Sequence, residues 1–297
     1  MFDPKDVTVR EYLRAAATYL GERRIIEPRL DAEVLLAHVM RVDRLRLYLE
    51  PDKALTAAEL VAFQKLIGER GAGRPVAYLI GQKEFMSLNF RVGPGVLVPR
   101  PETELLVEEA LRLNPRVVID VGTGSGAIAV SIACLLPEVK VYAIDVSAEA
   151  LSYARQNAAE LGVAGKISFL QGDLLRALSG LRVQADCITA NLPYIPTGDL
   201  DSLPLDVRAY EPHQALFGGA DGLDLYRALI PQAVEFLSPG GTLIMEIGPG
   251  QGAVLKEELA RDKAFTRTEV KDDYAGLERI MLTEFRGDRN GEPISGI

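Results

Sequence analysis

A chain of 297 residues holds one large domain with a small one, or two of middling size. Its 48% apolar and 25% charged residues suffice for an ordinary buried core. The longest apolar stretch, 127–136, falls far short of the roughly 20 residues that cross a bilayer, and the opening MFDPKDVTVR lacks the apolar run of a secretory signal, so a cytoplasmic location and no membrane partner are expected.

The net charge of −9 is unevenly spread. Residues 1–75 carry 13 Lys and Arg against 12 Asp and Glu, leaving 20 against 30 for the remainder. That balance argues against extended nucleic-acid binding, which rests on many cations neutralising phosphates. Two cysteines, Cys134 and Cys187, lie in apolar runs, and the chain has two histidines, His38 and His213. Neither a disulfide framework nor a zinc site of familiar spacing can be assembled from them, so no metal is expected.

From residue 8 to about 70, apolar positions recur at helical spacing, as in Val9, Tyr12, Leu13 and Ala16, then Leu30, Val34, Leu35 and Val39. Pro28 suits a first helical turn, and Thr56 with Glu59 makes a capping-box pair ahead of Leu60 and Phe63. A bundle of four or five helices over residues 1–75 follows. Gly71, Gly73 and Pro75 then punctuate the chain. Val76–Ile80, 85–92 and 96–98 read as short strands parted by glycines, giving a β-hairpin linker over 76–98.

Residues 99–286 alternate strands with helices. Strands are expected at Val117–Val121, 141–145, 167–170, Ala185–Ala190 and 242–247, with helices reaching Leu136 and spanning 147–161. Near-continuous apolar strands divided by helices imply an α/β fold with a parallel sheet covered on both faces. Residues 287–297, polar and glycine-containing, read as a disordered tail.

Asp120-Val121-Gly122-Thr123-Gly124-Ser125-Gly126 follows the first of these strands and opens a helix. Glycines there let the chain turn tightly and let a ligand press on backbone N–H groups. Asp145 closes the next strand about 20 residues on, where an acid can accept ribose hydroxyls. The glycines alone leave NAD, S-adenosylmethionine and a plain structural turn open, since Gly122-x-Gly124-x-x-Ala127 also satisfies the dinucleotide fingerprint. Asp120 favours a ligand with a cationic amino group and would repel a pyrophosphate. Gly172 and Asp173, after the third strand, add a polar group where an adenine amine could bind.

Asn191-Leu192-Pro193-Tyr194 leaves the carboxyl end of the fourth strand. A polar turn is the plain alternative, because Asn and Pro are turn residues. On the same sheet edge as the glycine loop, the tetrad suits a specific chemistry. An amide nitrogen is a poor nucleophile because its lone pair is delocalised, so it must be turned and held. The Asn191 oxygen and the Leu192 carbonyl could accept its two N–H bonds, Pro193 would stiffen that carbonyl, and the Tyr194 ring would stack on the planar amide.

The glycine loop together with this tetrad resembles amino-methyltransferases acting on adenine N6, cytosine N4 or glutamine N5. Phe85, Leu97-Val98-Pro99-Arg100-Pro101-Glu102-Thr103-Glu104, Glu211-Pro212-His213 and Asp221-Gly222-Leu223-Asp224 narrow the likeness. The chain resembles the HemK/PrmC family of peptide chain release factor glutamine-N5 methyltransferases, from the helical front to about Glu284. The resemblance implies a Rossmann-like catalytic domain over 99–286, a helical substrate-recognition domain over 1–75, and S-adenosyl-L-methionine as donor with S-adenosyl-L-homocysteine as product.

It further implies that Phe85, Asp120, Gly122, Thr123, Gly124, Ser125, Gly126, Asp145, Asp173, Leu174 and Asn191 touch the donor. Asn191, Leu192, Pro193 and Tyr194 would be the catalytic set that holds the glutamine of the Gly-Gly-Gln motif in class 1 release factors. Two departures stand out: Leu192 replaces the family's usual proline, and Leu174 stands where an aromatic is sometimes found. The rivals are a ribosomal-protein glutamine methyltransferase, a DNA adenine-N6 methyltransferase and an NAD-dependent oxidoreductase. The acidic balance disfavours the second, and Asp120 with the tetrad disfavours the third. Arg100 and Glu102 could sit on a loop that closes over the cofactor, and His213 reads as a structural or exposed loop residue.

Overall fold

Two capping boxes launch helices at the front of the chain. In the computed structural model, which describes residues 7–287, the Thr8 hydroxyl accepts from the Glu11 N–H while the Glu11 carboxylate accepts from the Thr8 N–H, starting α1 (Val9–Glu22). Pro28 occupies the first turn of α2 (Pro28–Met40), and Asp43 caps α3 (Arg44–Leu49). Thr56 and Glu59 form the second box at α4 (Ala57–Gly71). Leu13, Leu20, Leu35, Leu36, Phe63 and Ile67 pack together as the core of this bundle.

Val76–Ile80 is a short helix, α5, where a strand was expected. Pro75 stands at its N-cap with φ −57°, and Gly81 ends it in the left-handed region at φ 76°. Five apolar residues carry no decisive period, so the flanking proline and glycine set the outcome.

The chain divides into two compact units, one running to Gln82 and including Leu203–Tyr210, the other comprising Lys83–Ser202 and Glu211 onward. The boundary expected at 75 therefore falls after Gln82. The later segment brings α9 (Leu205–Tyr210) into the helical unit. Arg70, only 6% exposed, holds it there: its guanidinium pairs with Asp31 at 2.7 Å and Asp206 at 3.3 Å. Gly73, at φ +100°, leaves room for Leu205, whose Cδ2 would stand 2.8 Å from a Cβ at that position. Such a pairing across more than a hundred residues leaves no periodic trace in sequence.

The linker hairpin is narrower than its expected span. β1 (Gln82–Phe85) pairs with β2 (Leu88–Arg91), and Met86 and Ser87 both take positive φ, 50° and 59°, as a tight two-residue turn requires. Residues 96–98 form no strand; Val96 and Val98 are buried, and the Val98 N–H donates to Glu211 Oε2.

The rest is a Rossmann-like α/β domain. Its elements are α6 (Glu104–Leu113), β3 (Val117–Val121), α7 (Ala127–Leu135), β4 (Lys140–Asp145), α8 (Ala148–Glu160), β5 (Ile167–Gln171), β6 (Ala185–Ala190), α10 (Asp224–Phe236), β7 (Leu237–Glu246), α11 (Gly252–Arg261), β8 (Phe265–Asp272) and β9 (Glu278–Phe285). The seven strands run in the order β5-β4-β3-β6-β7-β9-β8. The first five pair in parallel, while β9 runs antiparallel to β7 and β8 to β9. Both faces of the sheet are packed by apolar clusters, which explains the continuous apolar runs in β3 and β6.

No helix among the described residues is long and apolar enough to cross a membrane. The tail expected from 287 lies, beyond Gly287, outside the described residues.

Candidate active site

The chain passes from β3 to β4 and β5 on one flank of the sheet, then returns to place β6 on the other flank of β3. At such a reversal a crevice opens beyond the carboxyl ends of the two central strands. The glycine loop leaves β3 there, and the 191–194 tetrad leaves β6.

Gly122, Gly124 and Gly126 have φ of 74°, 56° and 82°, a region that other residues enter only under strain. Space is the second constraint at Gly122, where an added Cβ would come within 2.9 Å of Leu192 Cδ2. The glycine loop and the tetrad therefore touch. Asp145 ties the loop to β4: Oδ2 accepts from the Gly124 N–H and Oδ1 from the Ser147 N–H, both at 2.8 Å. Each oxygen keeps a lone pair for a ligand hydroxyl. Burial raises the Asp145 carboxyl above its ordinary value, and these N–H groups oppose the rise.

These elements border a cavity of about 490 Å³, within the range of small-molecule sites. Gly122, Gly124, Asp145, Asp173, Leu174, Asn191, Leu192 and Pro193 line it. Its charged lining consists of Asp145, Asp173 and Asp224, with no lysine, arginine or histidine among the lining residues. A pyrophosphate would find no countercharge here, whereas a ligand with positive charge and a ribose diol is matched. Leu174 holds φ +49°, an uncommon strain for a leucine, and lines the cavity. The Asp173 carboxylate pairs outward with Arg176 at 3.2 Å.

Six expected site residues do not line the cavity. Phe85 is 1% exposed and packs edge-on against Phe90 in the core, with ring centroids 6.0 Å apart. Thr123 and Ser125 are buried in the glycine loop, and Gly126 caps α7, where a Cβ would press on Ala154. Asp120 is fully buried. Thr189 donates to its Oδ1 at 2.8 Å, while Oδ2 and the Thr123 hydroxyl have no hydrogen-bond partner. Burial pushes the Asp120 carboxyl up to about 6, against the pull of the Thr189 hydroxyl. An unpartnered buried carboxylate oxygen next to the glycine loop fits a site completed by a cationic group.

Tyr194 is the sixth, and it is anchored inward. Its hydroxyl donates to Glu246 Oε1 at 3.1 Å and accepts from Arg279 at 3.5 Å, and burial raises its pKa. Its carbonyl accepts from Gln251 Nε2 at 2.9 Å.

The tetrad is braced by residues from other elements. The buried Tyr226 hydroxyl accepts from the Leu192 N–H at 3.3 Å, lies 3.3 Å from the Leu192 carbonyl, and donates to the Glu246 carbonyl. Asn191 Nδ2 donates to the Thr103 hydroxyl at 3.1 Å. Glu211 accepts from the Arg100 guanidinium and the Val98 N–H, which joins two of the sequence motifs. Tyr226, Glu246 and Gln251 carry no signal in a single sequence, because each reaches the tetrad from a distant element.

Comparison with known proteins narrows the chemistry. Residues 11–81 match the PrmC N-terminal domain and residues 115–274 match a methyltransferase domain. Over 280 residues the chain is 46% identical to a release factor glutamine methyltransferase from Moorella thermoacetica, covering 93% of this chain and 98% of that one. It is 40% identical to one from Geobacter sulfurreducens, covering 94% and 97%. A methyltransferase structure from Pyrococcus furiosus shares the fold at 20% identity and a TM-score of 0.51, over 76% of this chain and 98% of that one. With Gly122, Gly124, Asn191, Leu192 and Pro193 on one acidic cavity, and likeness running nearly end to end, the chain belongs to the release factor glutamine methyltransferase family.

Proposed function

We propose that this enzyme transfers a methyl group from S-adenosyl-L-methionine to the side-chain amide nitrogen (N5) of the glutamine in the Gly-Gly-Gln motif of class 1 release factors. The observation that carries the proposal is that Asn191, Leu192 and Pro193 line one cavity together with Gly122, Gly124 and Asp145. The bound donor supplies an electrophilic methyl on a sulfonium and leaves as S-adenosyl-L-homocysteine. In this reading Gly122, Gly124 and Asp145 hold the ribose end, and Leu174 packs against the base.

Asn191 Oδ1 and the Leu192 carbonyl accept the two N–H bonds of the substrate amide and turn its nitrogen toward the methyl. Leu192 serves through its backbone, which Tyr226 holds, so the missing proline costs little rigidity. Tyr194 backs the tetrad from outside the cavity lining, through its hydrogen bonds with Glu246 and Gln251. Orientation of this kind supplies several kcal/mol; the S–CH₃ bond would break as the N–CH₃ bond forms, and the methylated nitrogen would then release its extra proton to solvent. The acidic cavity gives no purchase to a nucleic-acid backbone, and a release factor places the reaction in the cytoplasm. The helical unit is proposed to grip the protein substrate, since one side chain in a pocket offers too little area to select a partner.

The test is Asn191→Ala. Turnover should be abolished while donor affinity, measured by titration calorimetry, stays within about tenfold, or about 1.4 kcal/mol. Loss of donor binding in parallel with activity would make Asn191 a donor residue and overturn the assignment.

A further inference from the structure

An asparagine amide presents an oxygen and an NH₂ group of nearly equal size, so its two orientations differ only through their neighbours. For Asn191 the choice decides the chemistry. With the oxygen outward it accepts from the substrate amide; flipped, it sets NH₂ against NH₂. Thr103 sits in a turn begun by Pro101 and is 3% exposed, and its hydroxyl accepts from Asn191 Nδ2 at 3.1 Å. A buried hydroxyl that accepts must send its own proton elsewhere.

Glu246 is the neighbour suited to receive it. The residue is 1% exposed at the end of β7; Oε1 accepts from Tyr194, and Oε2 has no hydrogen-bond partner. Burial raises the Glu246 carboxyl above its ordinary value, and the adjoining Thr103 hydroxyl is the largest influence opposing that rise. A carboxylate oxygen accepts, and Oε2 taking the Thr103 proton would leave the Thr103 lone pair facing Asn191.

We infer that Thr103, backed by Glu246, is a positioning residue that fixes the Asn191 amide with its oxygen toward the substrate. The inference rests on Asn191 being the acceptor for the substrate amide. Glu246 also holds the Tyr194 hydroxyl, so one buried carboxylate indexes both ends of the tetrad.

The experiment compares Thr103→Val, Thr103→Ser and Asn191→Ala in the full chain. Steady-state kinetics with a release factor are read beside S-adenosyl-L-methionine affinity by calorimetry and melting temperature. Valine keeps the shape of threonine and removes the hydroxyl. Thr103→Val should lower kcat about tenfold or more, the worth of one oriented hydrogen bond, with donor affinity within about twofold. Thr103→Ser should recover most of the rate, and Asn191→Ala should be inactive. If Thr103→Val turns over like the parent while Asn191→Ala is dead, the inference fails and the role of Asn191 stands. If Asn191→Ala is active, the reading beneath the inference fails and takes it along. Equal loss in both threonine variants, or a fall in melting temperature that tracks the rate, would make Thr103 structural and overturn the inference.

Discussion

At the residue scale the clearest tension is at Asp120, enclosed at the end of β3 with its carboxyl lifted from 3.8 to about 6. The folded state therefore holds this proton more tightly than the unfolded chain. The contribution of Asp120 to stability falls as pH rises through the window from about 4 to about 6, and stays low above it. The full cost is about 3 kcal/mol. Asp120→Asn should remove it, because an amide NH₂ there could donate to the unpartnered Thr123 hydroxyl. With no donor bound, the variant should melt higher than the parent at pH 8, and the gap should close near pH 4. Equal shifts at both pH values would contradict the burial account.

The same scale shows what was legible. Gly122, Gly124, Asp145 and Asn191 lie at strand ends, where local pattern and the ligand rule for open sheets coincide, and the structure gathers them on one cavity. Phe85 was named through a motif and proves to be core. Thr103 was named only as part of the 97–104 motif, without a role, and Tyr226 and Glu246 were silent because they act from other elements across the fold.

At the scale of elements, the loop around Gly218 and Gly222 presses on the back of the tetrad. A Cβ on Gly218 would stand 2.2 Å from the Pro193 carbonyl oxygen, and one on Gly222, at φ +81°, would stand 2.0 Å from that of Tyr194. Gly276 has a similar φ, +77°, with nothing near its Cβ position. Gly276→Ala should cost only backbone strain, about 1 kcal/mol, and keep its activity. Gly222→Ala adds a backbone clash and should lose about 2 kcal/mol or more together with most of kcat. Denaturant midpoints and kcat for the pair check this, and equal behaviour would remove the loop from the support of the site.

Elements were read well where periodicity is strong. Val117–Val121 and Ala185–Ala190 were expected with these bounds, since strands buried on both faces are continuously apolar. β8 escaped notice because Arg267, Glu269 and Lys271 alternate along an edge strand, where charge guards against mispairing. Val76–Ile80 was misread because its helix is set by the flanking Pro75 and Gly81.

At the scale of the whole molecule, catalysis falls to the α/β unit, and partner choice is proposed for the helical unit. On α3, Leu45 and Leu49 are each 65% exposed, flanked by the exposed Arg44 and Arg46. Leu45→Asp with Leu49→Asp should leave melting temperature and donor affinity unchanged, because neither side chain is in the core. The KM for an intact release factor should rise several-fold, while a short Gly-Gly-Gln peptide, which never used that surface, should be unaffected. Equal harm to both substrates would end the recognition role of this face. Point substitution is the cleaner test, since Leu203–Tyr210 belongs to the helical unit and deleting the front of the chain would strip it of its packing.

The central claim is that the side-chain nitrogen of one glutamine is the methyl acceptor. Mass spectrometry of a class 1 release factor, digested after incubation with this enzyme and S-adenosyl-L-methionine, tests it most directly. One added methyl group is expected on the glutamine side chain of the Gly-Gly-Gln peptide, and none when Asn191→Ala replaces the parent. An unmodified Gly-Gly-Gln peptide, or a methyl group found on any other residue, would contradict it.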